Sequence, residues 1–143
     1  MAAIHLPRAL RIGAGTLDEL PQALAQFGLS RPLIVTDSWM AASGVLARVE
    51  AILTAAGMES RAFTGVVPDP TVTSVEAATA FLREGDHDCV IGLGGGSSID
   101  TAKVVAVKAA RDVPITALKA PHQEDTPALP IVAIPTTAGT GSE

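Results

Sequence analysis

Residues 89–103 read CVIGLGGGSSIDTAK, in which a short apolar run leads directly into three glycines and two serines. Apolar residues then recur at helical spacing, as Ile99, Ala102, Ala106 and Ala109. The pattern predicts a buried strand, a tight turn and a helix. Glycines let a backbone approach a ligand closely, and the first turn of a helix presents free N–H groups and the positive end of the helix dipole to an anion. The turn is therefore a candidate cradle for phosphate.

Two familiar glycine motifs do not match this turn. The dinucleotide fingerprint G-x-G-x-x-G would need its last glycine at Ser97 or at Ile99, depending on where it starts. A Walker A loop would need Gly-Lys-Ser/Thr, and no lysine directly follows these glycines. A tight turn without a ligand therefore stays an alternative on this stretch alone.

A second stretch of the same kind is found at residues 130–143, PIVAIPTTAGTGSE. An apolar strand again runs into a loop of glycines and hydroxyl side chains. In a parallel sheet such loops gather at the carboxyl ends of the strands, where ligands bind. We expect the two loops to hold one ligand between them.

In this order, the two stretches resemble the amino-terminal part of the iron-containing (group III) alcohol dehydrogenases. The resemblance rests on 94–103 and 135–143, and it extends to 66–71, VVPDPT, and to the strand that ends in Asp37. It implies an NAD(P)-binding domain of the dehydroquinate synthase-like fold, a Rossmann-like α/β domain with a mostly parallel sheet and helices on both faces. It also implies that residues 1–143 are this domain, incomplete at its carboxyl end, and that a helical domain carrying the metal ligands begins further on.

The composition excludes several classes of protein. With 143 residues, 48% hydrophobic and 17% charged, the chain fits one folded domain. A net charge of −5 with no basic run lacks the footprint of a nucleic-acid binder and disfavours anionic membranes. No apolar run approaches the roughly 20 residues of a membrane span, and no secretory signal is recognisable, so we expect a cytoplasmic protein. Cys89, the single cysteine, is expected to be a buried spectator.

Strands and helices alternate along the chain. Strands are predicted at 9–12, 33–36, 60–64, in the apolar run that begins at Cys89, and at 130–134. Helices are predicted at 16–27, 43–56, 73–84 and after the glycine turn. Thr16 with Glu19 and Thr73 with Glu76 have the spacing of capping boxes, and Gly28, Gly57 and Gly85 each follow a predicted helix. The alternation predicts right-handed crossovers and a largely parallel sheet. Residues 111–130 are expected to be a surface loop, with a mobile flap as the alternative.

Asp37 falls at the carboxyl end of the strand 33–36. A carboxylate in this position can accept hydrogen bonds from both hydroxyls of an adenosine ribose, which favours NAD and repels the extra phosphate of NADP. The alternative is that Asp37 caps the turn that follows it. The acid precedes the glycine turn here, whereas in the usual Rossmann fingerprint it follows; the order matches the family that the chain resembles.

Other polar residues offer weaker signals. Asp100 lies in the first helical turn, where a carboxylate stabilises the helix dipole, and Lys103 is placed to pair with it, with direct contact to phosphate as the less favoured reading. The three histidines, His5, His87 and His122, are far apart in sequence and have no partner at helical spacing. No catalytic and no metal-binding residue is therefore expected in this chain.

The resemblance implies a parent enzyme that transfers hydride between NAD, or NADP, and a small alcohol or aldehyde, with Fe(II) or zinc held outside this chain. The chain alone should bind NAD weakly, without turnover, and its open cleft favours a homo-oligomer. The alternatives are a metal-free relative such as maleylacetate reductase, dehydroquinate synthase, and a stand-alone nucleotide-binding module. The residues implied in cofactor binding are Asp37, Gly94, Gly95, Gly96, Ser97, Asp100, Thr136, Thr137 and Thr140.

Overall fold

The computed structural model of the protein describes residues 7–118 and 127–142. Within these ranges, four parallel strands form one sheet in the order β2-β1-β3-β4. The strands are β1 (Pro32–Asp37), β2 (Arg61–Val66), β3 (Cys89–Gly94) and β4 (Ile131–Pro135). The predicted parallel α/β architecture is thereby confirmed.

Helices cover both faces of this sheet. They are α1 (Leu20–Gln26), α2 (Ser38–Ala42), α3 (Val45–Ala55), α4 (Val72–Arg83) and α5 (Gly96–Ala110). One buried cluster joins α1 and α3 to one face of β1 and β3, and a second joins α4 and α5 to the opposite face. Both faces of β1 and β3 are therefore covered, and every residue of β3 is buried. None of the helices in the described ranges is long and apolar enough to cross a bilayer.

The order of the strands places a reversal of direction beside β1. From β1 the chain passes to β2 on one side, and it then returns to β3 on the other side of β1. The helices that make these two connections, α3 and α4, lie on opposite faces of the sheet. The carboxyl ends of β1 and β3 thus form a topological switch point, which is where open α/β sheets bind ligands.

Two helices end as their glycines predict. Gly28 and Gly57 adopt left-handed φ angles of 71° and 74° just past α1 and α3. The N–H of Leu29 donates to the carbonyl of Leu24 at 3.1 Å, and Met58 makes the equivalent bond at the end of α3. These are Schellman motifs, in which a residue without Cβ avoids the steric cost of the left-handed region.

The first predicted capping box is wrong. Residues Thr16–Glu19 form a turn of 3₁₀ helix ahead of α1, and the hydroxyl of Thr16 donates to the carbonyl of Gly13 at 3.1 Å. The carboxylate of Glu19 forms an ion pair with Arg11. A side chain that is engaged elsewhere cannot reach back to a backbone donor, so the spacing alone was not enough.

The second predicted capping box lies two residues too far along the chain. Thr71 caps α4: its hydroxyl oxygen accepts from the N–H of Ser74 at 3.2 Å, while the N–H of Thr71 donates to the hydroxyl of Ser74. Glu76 pairs with the ammonium of Lys108 at 3.0 Å. Because α4 begins at Val72, Thr73 and Glu76 lie inside the helix and are not in the N-cap and N3 positions that a capping box requires.

The predicted strand at 9–12 is also wrong. No strand in the described ranges pairs with this segment, and Leu10 and Ile12 are 72% and 84% exposed. An extended segment becomes a strand only where a neighbour completes its backbone hydrogen bonds. The apolar pattern by itself therefore did not settle the assignment.

Smaller differences concern element boundaries. The predicted helix 43–56 begins at Val45, because Gly44 has a φ of 85° and separates it from the short helix α2. The expected surface loop 111–130 contains a turn of 3₁₀ helix at Ile115–Leu118, and its polar run 122–126 lies outside the described residues.

Candidate functional site

The glycine turn lies at the carboxyl end of β3, at the switch point. Gly94 has a φ of 137°, and a Cβ added to it would lie 2.8 Å from the hydroxyl oxygen of Ser98. Glycine is therefore required at this position for both conformation and space. The turn brings the backbone into α5 without a side-chain cap.

The first turn of α5 leaves backbone donors available. The carbonyl of Gly95 accepts from the N–H groups of both Ser98 and Ile99, at 3.1 and 3.2 Å. The N–H groups of Gly96 and Ser97 precede them and have no acceptor within the helix. The N–H groups of Gly96 and Ser97 and the positive end of a 15-residue helix therefore lie at the carboxyl ends of the strands.

The hydroxyl-rich loop after β4 packs directly on the glycine turn. The N–H of Thr136 donates to the carbonyl of Gly94 at 2.9 Å. A Cβ on Gly95 would lie 3.3 Å from the hydroxyl oxygen of Thr137. The two motifs, about 40 residues apart in sequence, thus form one surface.

Gly96 marks the closest approach of the two loops. A Cβ at this position would lie 3.1 Å from the hydroxyl oxygen of Ser142 and 3.3 Å from the Cβ of Thr140. Distances this short are tighter than most Cβ contacts, so a side chain here would require the second loop to shift. Glycine at position 96 therefore sets the spacing of the cradle.

Asp37 lies beside the glycine turn and also caps a helix. Its Oδ1 accepts from the N–H of Met40 at 2.8 Å, which closes the amino end of α2. Its Oδ2 lies 3.6 Å from the position that a Cβ on Gly94 would occupy. Capping, the alternative considered for this residue, is therefore present, and it engages only one of the two carboxylate oxygens.

Asp100 connects the two loops. Its Oδ2 accepts from the hydroxyl of Ser142 at 3.1 Å, and its Oδ1 lies 3.5 Å from the ammonium of Lys103. The pairing of Asp100 with Lys103 is the one expected from their spacing. The bond to Ser142 was not expected, and it gives Asp100 a structural role in holding the second loop against α5.

Sequence reasoning missed three hydroxyls at this edge. Thr36 donates to the carbonyl of Leu93 at 2.7 Å and ties the last residues of β1 to those of β3. Ser142 is buried between the loops. Ser98 is 1% exposed, and its hydroxyl has no hydrogen-bond partner within the described ranges. Ser98 belongs to the serine doublet after the glycines and Ser142 to the hydroxyl-rich loop, but nothing in the sequence indicated these contacts.

The residues at the carboxyl ends of β1 and β3 suit a dinucleotide. Outward N–H groups, glycines whose Cβ positions are blocked, and one carboxylate at the adjacent strand end match what a pyrophosphate and a ribose require. Within residues 7–118 and 127–142, no three His, Cys, Asp or Glu side chains lie close enough together to hold a metal ion.

Comparison with known proteins places this arrangement in a family. The family model for iron-containing alcohol dehydrogenase matches residues 7–143. The chain belongs to the iron-containing alcohol dehydrogenase family. The resemblance noted in the sequence is thereby confirmed.

Three relatives illustrate the similarity. The chain is 37% identical over 146 residues to long-chain-alcohol dehydrogenase 1 of Geobacillus thermodenitrificans, strain NG80-2, and 36% identical over 143 residues to NAD-dependent methanol dehydrogenase of Bacillus methanolicus. Both alignments cover the whole of this chain. The crystal structure of sulfoacetaldehyde reductase from Bifidobacterium kashiwanohense in complex with NAD+ is 33% identical and superposes on 92% of this chain, with a TM-score of 0.82.

The chain spans only part of these relatives. It covers 37% and 38% of the two curated proteins and 35% of the crystallised one. What the matches establish is therefore the family and the fold of this portion.

Proposed function

We propose that this chain is the dinucleotide-binding portion of an NAD-dependent dehydrogenase that acts on a small alcohol or aldehyde. The observation that carries the proposal is the convergence of the two loops and Asp37 at one switch point. Dinucleotides bind at such points in α/β sheets. The printed names of the relatives, which include an NAD-dependent methanol dehydrogenase and a reductase in complex with NAD+, support the choice of cofactor and reaction.

In this proposal the pyrophosphate binds at the amino end of α5. The N–H groups of Gly96 and Ser97 would donate to its oxygens, and the dipole of α5 would favour its negative charge. Thr137 and Thr140 border the same space from the second loop and would add hydroxyl donors. Gly94, Gly95 and Thr136 contribute through their backbone rather than their side chains.

The adenosine ribose has a place at the end of β1. Asp37 keeps one oxygen outside its capping bond, and a carboxylate there accepts from ribose hydroxyls. The same negative charge would repel a 2′-phosphate. We therefore propose a preference for NAD over NADP.

The chemistry of the reaction divides between this portion and other residues. Bound NAD supplies the hydride acceptor, and this chain holds and orients it. The described residues offer no cluster for the iron that the family name implies. We propose that the metal and the reacting alcohol are held by residues outside this chain, which binds cofactor without turnover.

Gly96→Ala tests the cradle. The added methyl would lie about 3.1 Å from Ser142 Oγ and push the second loop away from α5, so we expect NAD affinity to fall about tenfold, which corresponds to ~1.4 kcal/mol. Calorimetric titration of the chain with NAD measures this. Alanine suits the first turn of a helix, so stability should change little.

Gly44→Ala is the matched control for this variant. Gly44 has a φ of 85° and no atom near its Cβ position, so alanine there strains the backbone at the start of α3 without reaching the loops. We expect lower stability and unchanged NAD affinity. Undiminished affinity in Gly96→Ala would contradict a cofactor site between the loops.

Asp37→Asn tests the choice of cofactor. Asparagine is as good a helix cap as aspartate, so α2 should stay intact while the charge is removed. We expect NADP affinity to rise relative to NAD by about tenfold or more, because charge repulsion with the 2′-phosphate is relieved. Titrations of the wild-type chain and of Asp37→Asn with NAD and with NADP measure the ratio of the two affinities. An unchanged ratio would mean that the carboxylate does not face the ribose.

A further inference from the structure

A large aromatic side chain lies exposed next to the proposed cofactor site. Trp39 lies in α2 and is 68% exposed, whereas the next residue in the same helix, Met40, is buried. Tryptophan is usually buried to a large extent, so an indole that is left in water calls for an explanation. Trp39 stands two residues after Asp37, on the helix that Asp37 caps.

Other exposed apolar side chains lie in the same part of the fold. Val67 directly follows β2 and is 38% exposed, and Val72 begins α4 and is 55% exposed. The last residue of β2, Val66, is the register partner of Asp37. Exposed apolar residues therefore follow the carboxyl ends of β1 and β2 along the chain, and Trp39, Val67 and Val72 are together called the apolar rim.

The strand order tells which part of a dinucleotide would meet this rim. The phosphate cradle is at the end of β3 and the ribose acid is at the end of β1, the neighbouring strand. In a dinucleotide the adenine follows the ribose on the side away from the pyrophosphate. Continued in the same direction, the molecule reaches the end of β2, which is the next strand in the sheet.

The loop that follows β2 has a restricted backbone. Asp69 has a φ of 51°, in the left-handed region, and it lies between Pro68 and Pro70. Prolines restrict the backbone on both sides, so little conformational entropy is lost when a ligand binds beside them. A restricted loop at the same end of the sheet as an exposed indole suits a flat, apolar group.

We propose that Trp39 binds the adenine ring of NAD by stacking. The inference rests on the proposed function, since it requires the pyrophosphate and ribose to lie as described above. It deepens that function by assigning the adenine end to a residue on α2, where the indole supplies a flat face that any purine can contact. Stacking on an aromatic side chain is worth enough to matter for a cofactor that is otherwise weakly held.

Intrinsic fluorescence provides a direct test, because Trp39 is the only tryptophan of the chain and there is no tyrosine. We expect AMP and ADP-ribose to change the emission of Trp39 in a saturable manner. Nicotinamide mononucleotide, which lacks adenine, should leave it unchanged. An equal response to nicotinamide mononucleotide would overturn the assignment.

Variants separate this inference from the proposed function. Trp39→Ala should weaken NAD binding about fivefold or more in calorimetry, whereas Trp39→Phe, which keeps an aromatic face, should retain most of the affinity. Phe27→Ala is the control, since Phe27 is also exposed, at 45%, but follows α1 near the amino end of β1. If NAD binds and Trp39→Ala binds it equally well, the stacking assignment fails alone; if wild type does not bind NAD, the proposed function fails first.

Discussion

The two ends of the sheet use the same polar groups in different ways. At the amino end, Asp88 precedes β3 and accepts from the N–H groups of Ser30 and Arg31, both at 2.9 Å. At the carboxyl end, Asp37 accepts one bond from its own helix and keeps its second oxygen beside the glycine turn. Both carboxylate oxygens of Asp88 accept hydrogen bonds within the fold, whereas only one oxygen of Asp37 does.

The electrostatics of the amino end follow from this. Burial by itself would raise the pKa of Asp88, but the backbone donors of Ser30 and Arg31 outweigh it and hold the pKa below the ordinary value. Burial lowers the pKa of His87, an effect that the backbone of Arg31 partly offsets. Neither ring nitrogen of His87 makes a well-aligned hydrogen bond within the described ranges.

The comparison teaches where to look for function in this fold. At the amino end, Asp88 accepts from two backbone donors and so stabilises the fold, although neither ring nitrogen of His87 has a hydrogen-bond partner within the described ranges. At the carboxyl end, N–H groups of α5 point outward and the Ser98 hydroxyl has no partner within the described ranges, which costs stability unless a ligand compensates. The same substitution at Asp88 and at Asp37 should therefore affect mainly stability at the first position and mainly NAD affinity at the second.

Replacing each aspartate by alanine should give the largest effect. Asp88→Ala leaves two backbone donors without their acceptor, so we expect the free energy of unfolding to fall by about 2–4 kcal/mol, with NAD affinity of the folded protein unchanged. Asp37→Ala removes one helix cap and should cost only about 1 kcal/mol, while NAD affinity falls. Urea denaturation and calorimetry measure the two quantities.

The pair is informative because each variant controls the other. If Asp88→Ala weakened NAD binding as much as Asp37→Ala does, the two ends would not be separable in function. Asp88→Asn provides an intermediate case, since one amide oxygen can still accept a hydrogen bond.

The free energy of unfolding should fall in two stages as the pH is lowered, because of His87 and Asp88 at the amino end of the sheet. The pKa of His87 is lower in the folded state, so the unfolded state takes up the proton first, and stability falls as the pH drops through about 6.5. The pKa of Asp88 is also lower in the folded state, so its contribution is present above about pH 4 and is lost below it.

Two variants test which residue causes each of these two stages. In urea denaturation between pH 7.5 and 3, His87→Leu should flatten the decline between about pH 7 and 5, and Asp88→Asn should reduce the decline below about pH 4. A decline between pH 7 and 5 that is as steep in His87→Leu as in wild type would show that other groups cause it.

The smallest effect is expected for the buried hydroxyl at the carboxyl end. Ser98→Ala removes an oxygen without a partner and fits the helix better, so we expect stability to rise by about 0.5–1 kcal/mol. Thr79→Val is the contrast, because the hydroxyl of Thr79 is also buried but donates to the carbonyl of Val75 at 2.8 Å. It should be neutral or slightly destabilising, and a loss of stability in Ser98→Ala would mean that its hydroxyl has a role that the structure does not reveal.

Local patterns predicted most of the fold and misplaced some of its details. The apolar run of β3, the helix after the glycines and the left-handed glycines after α1 and α3 all follow from residues close together in sequence. The first capping box failed because Thr16 and Glu19 bind Gly13 and Arg11 instead. The second failed because α4 begins at Val72 and is capped by Thr71. The prediction of a strand at 9–12 failed because a strand needs a neighbouring strand to complete its backbone hydrogen bonds, and local sequence does not show whether one is present.

By itself, the sequence determined the class of the fold, the two glycine-bearing loops and the family, because periodicity and motif are properties of short stretches of chain. Only the tertiary structure decided that position 37 lies beside 94, that Ser142 binds Asp100, and that Trp39 is left largely exposed. The order β2-β1-β3-β4 sets these neighbours. The physical reason is that strand order results from the packing of helices on both faces of the sheet, which depends on all the elements together.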